Sequence, residues 1–174
     1  MRHSILPLVC VLFSFTASAA EAPKGRSRFA AEFGKHWSTA KNLALAVAEA
    51  MPAEDYDFKP NAEEMSFGQQ ITHIAQANFG YCSRLNNSKA PPAVRPEILD
   101  KAAVMKLAGD SFDYCSGIIA NLTDQNLEEL RGPEGRQSSV REVLLAVFAH
   151  MAHHRGQAEV YLRAKGIKPP TYTF

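Results

Sequence analysis

Residues 139–165 read SVREVLLAVFAHMAHHRGQAEVYLRAK. Apolar residues recur in this stretch at three- and four-residue steps, the period of one face of an α-helix. Ser139 and Glu142 form a capping-box pattern at its start, and Gly166 follows its end. The stretch therefore predicts a long amphipathic helix with one buried face. The residues of that face are Val140, Val143, Val147, Met151, Ala158 and Tyr161.

Three earlier segments, residues 29–50, 66–86 and 99–122, show the same helical periodicity. In the second of them, Ser66 and Gln69 form another capping box, ahead of an apolar stripe. No stretch alternates with a period of two, so we predict no sheet, and residues 123–137 are expected to be a loop with one helical turn. Four amphipathic helices predict an all-α protein, a four-helix bundle. The stripe of the second helix is Phe67, Ile71, Ile74, Tyr81 and Leu85.

Length and charge restrict the class of protein. The 174 residues are enough for one domain with a core of its own. The formal net charge is +1, from 19 basic and 18 acidic residues, and neither sign forms a long run. Without a basic stripe to follow a phosphate backbone, nucleic-acid binding is not expected.

The first twenty residues have the pattern of a secretory signal. Arg2 and His3 precede an apolar stretch, residues 5–15, that is too short to span a bilayer, and small residues at 17–20 offer a cleavage site. We therefore predict a signal peptide at residues 1–20, a mature domain at residues 21–174, and a periplasmic or secreted protein that no longer contacts the membrane. The alternative is an uncleaved N-terminal anchor.

Cleavage would leave two cysteines, Cys82 and Cys115. In an oxidising compartment they could form a disulfide that closes a loop of roughly 30 residues and contributes ~3 kcal/mol. Alternatively, both are small buried hydrophobic residues. The sequence leaves both readings open, because a disulfide needs Cα atoms within about 7 Å of each other.

The long C-terminal helix carries three histidines. At ~100° per residue, His150 and His154 fall inside the apolar stripe, roughly 40° apart, whereas His153 lies off it. Two imidazoles on an apolar face need partners for their nitrogens, and a metal ion or a neighbouring side chain would serve. His73 lies at the edge of the stripe in residues 66–86, where the small Ala77 leaves room for an ion.

The same motif excludes one class of enzyme. A zinc protease of the HExxH type needs a glutamate directly after the first histidine as its general base. In this chain that position is Met151. Peptide hydrolysis by that route is therefore not expected.

Several blocks of sequence, in this order and spacing, resemble the DinB/YfiT-like superfamily of metal-dependent enzymes. The resemblance spans nearly the whole mature chain. It implies a four-helix bundle of unusual connectivity, with a divalent metal ion, often zinc or nickel, held by His73, His150 and His154. The blocks are residues 51–60 (MPAEDYDFKP), Ser66-Phe67-Gly68, His73-Ile74-Ala75, residues 150–157 (HMAHHRGQ), Tyr161-Leu162-Arg163 and residues 166–170 (GIKPP).

Three neutral imidazoles and a water-filled fourth position are typical of a catalytic zinc site, which can activate water or a thiol and polarise a carbonyl. Characterised relatives include thiol-dependent transferases and isomerases, but their thiols are cytosolic and this chain is expected to be exported. We therefore predict a metal-dependent hydrolase or transferase with an unknown small-molecule substrate. The alternatives are a non-catalytic bundle that binds a metal or small ligand, and a structural bundle whose histidines pair with side chains.

A homodimer is common for such bundles, but no surplus apolar stripe establishes one.

Three neighbours of the histidines also carry expectations. Gln70, one turn before His73, could orient the His73 ring as a hydrogen-bond partner, or could be a solvated surface residue. Arg155 is expected to pack or pair between helices. Tyr161 is expected in the core or at the mouth of the site.

Overall fold

The computed structural model describes residues 25–92 and 100–172. Its four long helices are α1 (Arg28–Ala50), α2 (Phe67–Leu85), α3 (Lys101–Ile119) and α5 (Val140–Ala164). A 3-10 helix (Ala53–Asp55) follows α1, and the short α4 (Asp124–Glu128) follows α3. The all-α four-helix bundle is therefore confirmed. The expected signal peptide lies outside the described residues.

The helices pack in an order that differs from their order in the chain. The main helix contacts join α2 to α3 and α5, and α1 to α3 and α5. The cyclic order around the bundle is therefore α1, α3, α2, α5, with α1 and α2 on a diagonal. This is the unusual connectivity that the resemblance implied, and it places α2 beside α5.

Local capping explains where these helices begin and end. Ser66 Oγ accepts from the Gln69 backbone N–H at 3.2 Å, while the Gln69 side chain accepts from the Ser66 N–H at 2.7 Å, a complete capping box. At the start of α5 one half of the predicted box is seen, in which Ser139 Oγ accepts from the Glu142 N–H. Gly166, with φ +74°, ends α5. The predicted start of α3 at residue 99 lies outside the described residues, and its last residue is Ile119.

The prediction of no sheet was wrong. Strands β1 (Leu130–Arg131) and β2 (Ser138–Ser139) form a small antiparallel ladder in which Leu130 pairs with Ser139. Two-residue strands are too short to produce a visible alternation in the sequence. The ladder matters for the site because β2 runs directly into α5 and so holds the start of that helix.

The core lies among the four long helices. All six residues of the predicted α5 stripe are buried, as are four of the five in the α2 stripe, Tyr81 being partly exposed. Trp37 of α1 packs against Phe112 of α3, with ring centroids 5.1 Å apart, and its indole N–H donates to the Phe112 carbonyl. Within residues 25–92 and 100–172, no helix is both long and apolar enough to cross a bilayer.

Cys82 and Cys115 form a disulfide that joins α2 to α3. Their Cα atoms are 5.4 Å apart, and both residues are fully buried. Of the two readings left open by the sequence, the structure thus shows the disulfide. The disulfide fixes α2, the helix that also carries His73, to α3.

Candidate metal centre

Three histidines meet where α2 packs against α5. His73 Nε2 and His150 Nε2 are 3.1 Å apart. The His154 ring lies 4.4 Å from the His73 ring and 4.6 Å from the His150 ring, measured between centroids. One nitrogen from each ring lies within 4.8 Å of the other two. The structure therefore brings together the three histidines singled out from the sequence.

The helical geometry of α5 selects the pair that enters this cluster. His150 and His154, one turn apart, face α2, while His153 is exposed and hydrogen-bonds to Gln157 Nε2 at 3.2 Å. The prediction that His153 lies off the buried stripe is confirmed. The His150 and His154 side chains are only partly buried, so they lie at the edge of the core and not inside it. That position leaves the cluster accessible from outside.

The donor set suits a transition-metal ion. On a tetrahedral zinc ion with ordinary Zn–N bonds, two ligand nitrogens are about 3.3 Å apart, close to the His73–His150 spacing. Imidazole favours zinc, nickel, copper or iron, whereas calcium and magnesium prefer oxygen ligands. A hydrogen bond between His73 and His150 is the alternative for that contact. Among the described residues, His150 Nδ1 is buried without a hydrogen-bond partner.

Burial keeps the two α5 rings of the cluster, His150 and His154, in their neutral form. Burial lowers the pKa of His154 to about 4, and charge on the nearby His73 and His150 acts in the same direction. Burial, followed by charge on His73, also lowers the pKa of His150. At neutral pH these rings are therefore uncharged, the state in which an imidazole can donate a lone pair to a metal.

The lowered pKa of His154 predicts how acid affects the metal-free protein. Unfolded histidine binds a proton near pH 6.5, whereas folded His154 does so near pH 4. Between these values the unfolded state holds more protons, so the free energy of unfolding falls as the pH is lowered through this window. Urea titrations from pH 7 to pH 4 measure the effect. His154→Gln should show a shallower dependence, and an unchanged slope would contradict the prediction.

Gln70 contacts a different histidine from the one expected. Its Oε1 lies 2.7 Å from His154 Nδ1 and its side chain is buried, so neither of the two readings of the sequence, a partner of His73 or a solvated surface residue, was right. Gln70 is on the same helix as His73, but its side chain is buried in the α2–α5 interface. The choice of partner depends on how the two helices pack, which a spacing within α2 does not reveal.

Two further side chains complete the description. Arg155 was expected to pack or pair between helices; its Nε lies 3.3 Å from Glu159 Oε1 on the same helix, so the pairing is within α5, and its guanidinium lies over the Tyr172 ring. Tyr81, assigned from sequence to the apolar stripe alone, lies with its ring 5.8 Å from that of His150. Its position two turns after His73 is the signal that could have placed it beside the cluster.

The fold described above is shared with known proteins. YjoA of Bacillus subtilis strain 168, an uncharacterized protein, is 24% identical over 134 residues, covering 75% of this chain and 87% of YjoA. The crystal structure of YjoA, described as DinB-like, superposes with a TM-score of 0.69 at 23% identity, over 81% of this chain and 96% of that one. A DinB-like protein from Bacillus cereus ATCC 10987 gives a TM-score of 0.72 at 17% identity, over 81% and 95% of the two chains. The sequence pattern of the DinB superfamily matches residues 36–158, and the chain belongs to that superfamily.

Proposed function

We propose that this protein is an exported metalloenzyme, a hydrolase or transferase that acts on a small molecule. His73, His150 and His154 hold a divalent ion, zinc or nickel, and leave one coordination position free for water or substrate. The observation that carries the proposal is the convergence of three imidazole nitrogens within 4.8 Å at a partly exposed edge of the bundle.

All three proposed ligands are imidazoles, which bind a metal ion in their neutral form, and this matters for the chemistry. A bound divalent ion lowers the pKa of coordinated water and polarises a carbonyl oxygen. Because neutral imidazoles do not cancel the charge of the ion, an anionic or strongly polar group of a substrate is attracted to the site. Tyr81, beside His150, supplies an aromatic surface next to the cluster against which an apolar part of that substrate could pack.

The proposal that the protein is exported is supported by the disulfide and by the composition of residues 1–20. A disulfide such as Cys82–Cys115 persists in oxidising compartments and is rare in the cytosol. Residues 1–20 have the composition of a secretory signal. Together these features favour a periplasmic or secreted protein, in which cytosolic thiols are not the natural co-substrates.

The test begins with elemental analysis of the purified mature protein, residues 21–174. The bound ion is then exchanged for cobalt(II), whose visible spectrum changes when an added anion such as azide enters the coordination sphere. Near-stoichiometric zinc or nickel together with an azide-sensitive cobalt spectrum would support the enzyme. Metal with an azide-insensitive spectrum would favour the non-catalytic metal-binding bundle. No metal, even after incubation with divalent ions, would overturn the proposal and leave a structural bundle.

A further inference from the structure

Three linked hydrogen bonds lead from the histidine cluster to the backbone just before α2. His154 Nδ1 lies 2.7 Å from Gln70 Oε1, and Gln70 Nε2 lies 3.3 Å from the Tyr161 hydroxyl. The Tyr161 hydroxyl in turn lies 2.8 Å from the backbone carbonyl of Met65, which directly precedes the N-cap of α2. The two middle members are almost completely buried, Gln70 with 2% and Tyr161 with 4% of its surface exposed.

The donor and acceptor in each of these hydrogen bonds follow from the last partner, the Met65 carbonyl. The Met65 carbonyl can only accept, so the Tyr161 hydroxyl must donate to it. The Tyr161 oxygen then accepts from the Gln70 amide N–H₂, which turns the amide oxygen of Gln70 towards His154. An amide oxygen can only accept, so His154 must carry its proton on Nδ1. In a neutral ring the lone pair is then on Nε2.

We propose that Gln70 and Tyr161 are positioning residues that hold His154 as the Nδ1–H tautomer, with Nε2 presented as the metal ligand. The inference rests on the proposed function insofar as it concerns metal affinity, whereas the tautomer itself is a property of the metal-free protein. Outer partners of this kind fix the orientation of a ligating imidazole and raise its basicity. Here the partner is an uncharged amide, so no buried negative charge offsets the charge of an ion at the site.

The side chains packed around these hydrogen bonds explain why the bonds keep one set of directions. The Tyr161 ring packs edge-on against Phe58, with centroids 6.3 Å apart, which restricts where its hydroxyl can point. If the Gln70 amide flipped, its oxygen would face the Tyr161 hydroxyl, whose proton is already donated to the Met65 carbonyl. The Gln70–Tyr161 contact would then lose its hydrogen bond in a buried position, where an unmade bond costs about 1–3 kcal/mol, and His154 could keep its contact with Gln70 only as the other tautomer.

The first test reads the tautomer directly in metal-free protein. Nitrogen-15 chemical shifts of the histidine rings distinguish Nδ1–H from Nε2–H. Wild type should show His154 as Nδ1–H, and Gln70→Leu should shift it towards a mixture. Tyr161→Phe should do the same more weakly, because the amide is then free to turn. Tyr56→Phe is the matched control, since Tyr56 is also buried and also donates to a backbone carbonyl, that of Ala48.

The second test measures zinc affinity by competition with a chelator. Loss of an outer hydrogen-bond partner lowers metal affinity by about 10–100-fold, so Gln70→Leu should fall in this range. Gln70→Glu, which keeps an acceptor opposite His154, should restore the affinity, and Tyr56→Phe should match wild type. Thermal unfolding of each variant separates a loss of fold from a loss of positioning.

The outcomes distinguish this inference from the proposed function. An Nε2–H tautomer in wild type, or a Gln70→Leu variant with wild-type tautomer and zinc affinity, would overturn the positioning role. A wild type that binds no metal but shows the Nδ1–H tautomer, lost in Gln70→Leu, would overturn the metalloenzyme while upholding the hydrogen-bond chain. An equal change in Tyr56→Phe and Tyr161→Phe would assign the effect to general destabilisation and so refute the specific role.

Discussion

The proposed metal ion should be lost when His154 is replaced by alanine, alone or together with His150, and retained in His153→Ala. His150 and His154 lie in the cluster with His73, while His153 is exposed one residue away. Loss of an outer partner alone costs about 10–100-fold in metal affinity, so loss of a ligand should exceed about 100-fold. Metal content after gel filtration, with elemental analysis of all three variants, measures the effect.

His153→Ala is an informative control because the two variants change neighbouring residues of the same type on one helix. Circular dichroism should show the same helix content in both, so that a difference in metal content reports coordination and not folding. Metal lost from His153→Ala but kept in His154→Ala would assign the ligands to an i, i+3 pair. That result would contradict the geometry of α5.

Removing the disulfide should have the second large effect. The bond joins residues 33 positions apart, for which the chain-entropy relation gives about 3–4 kcal/mol of stabilisation. Cys82→Ala/Cys115→Ala should therefore lower the free energy of unfolding by about that amount, measured by urea titration. The reason is that the unfolded chain gains conformational freedom when the loop is opened.

A reducing agent provides the control for this prediction. It should destabilise the wild type to a similar extent and leave the alanine variant unchanged, since that variant has no bond to break. The alanine substitutions also remove two buried sulfur atoms, and reduction of the wild type does not. A wild type whose unfolding curve does not respond to reductant would show that the bond is absent or makes no contribution.

Local features were predictable because their causes lie within a few residues. The capping box at Ser66 and the glycine stop at Gly166 set helix ends through neighbouring backbone groups. The rotation per residue in α5 placed His150 and His154 on one face and His153 off it, as the structure shows. The small ladder of β1 and β2 was missed because a two-residue strand has no periodicity to detect.

The sequence by itself therefore determined the helices, the bundle class, the superfamily and the two histidines of α5 that face inward, because each depends on short-range periodicity or on an ordered set of motifs. Only the tertiary structure decided three contacts. Cys82 bonds to Cys115, and His73 Nε2 lies 3.1 Å from His150 Nε2. Gln70 contacts His154 and not His73, its neighbour on the same helix. Each of these contacts joins different helices across at least 33 residues of chain. Such contacts depend on the order α1, α3, α2, α5 around the bundle and on how closely each pair packs, and no local pattern encodes either.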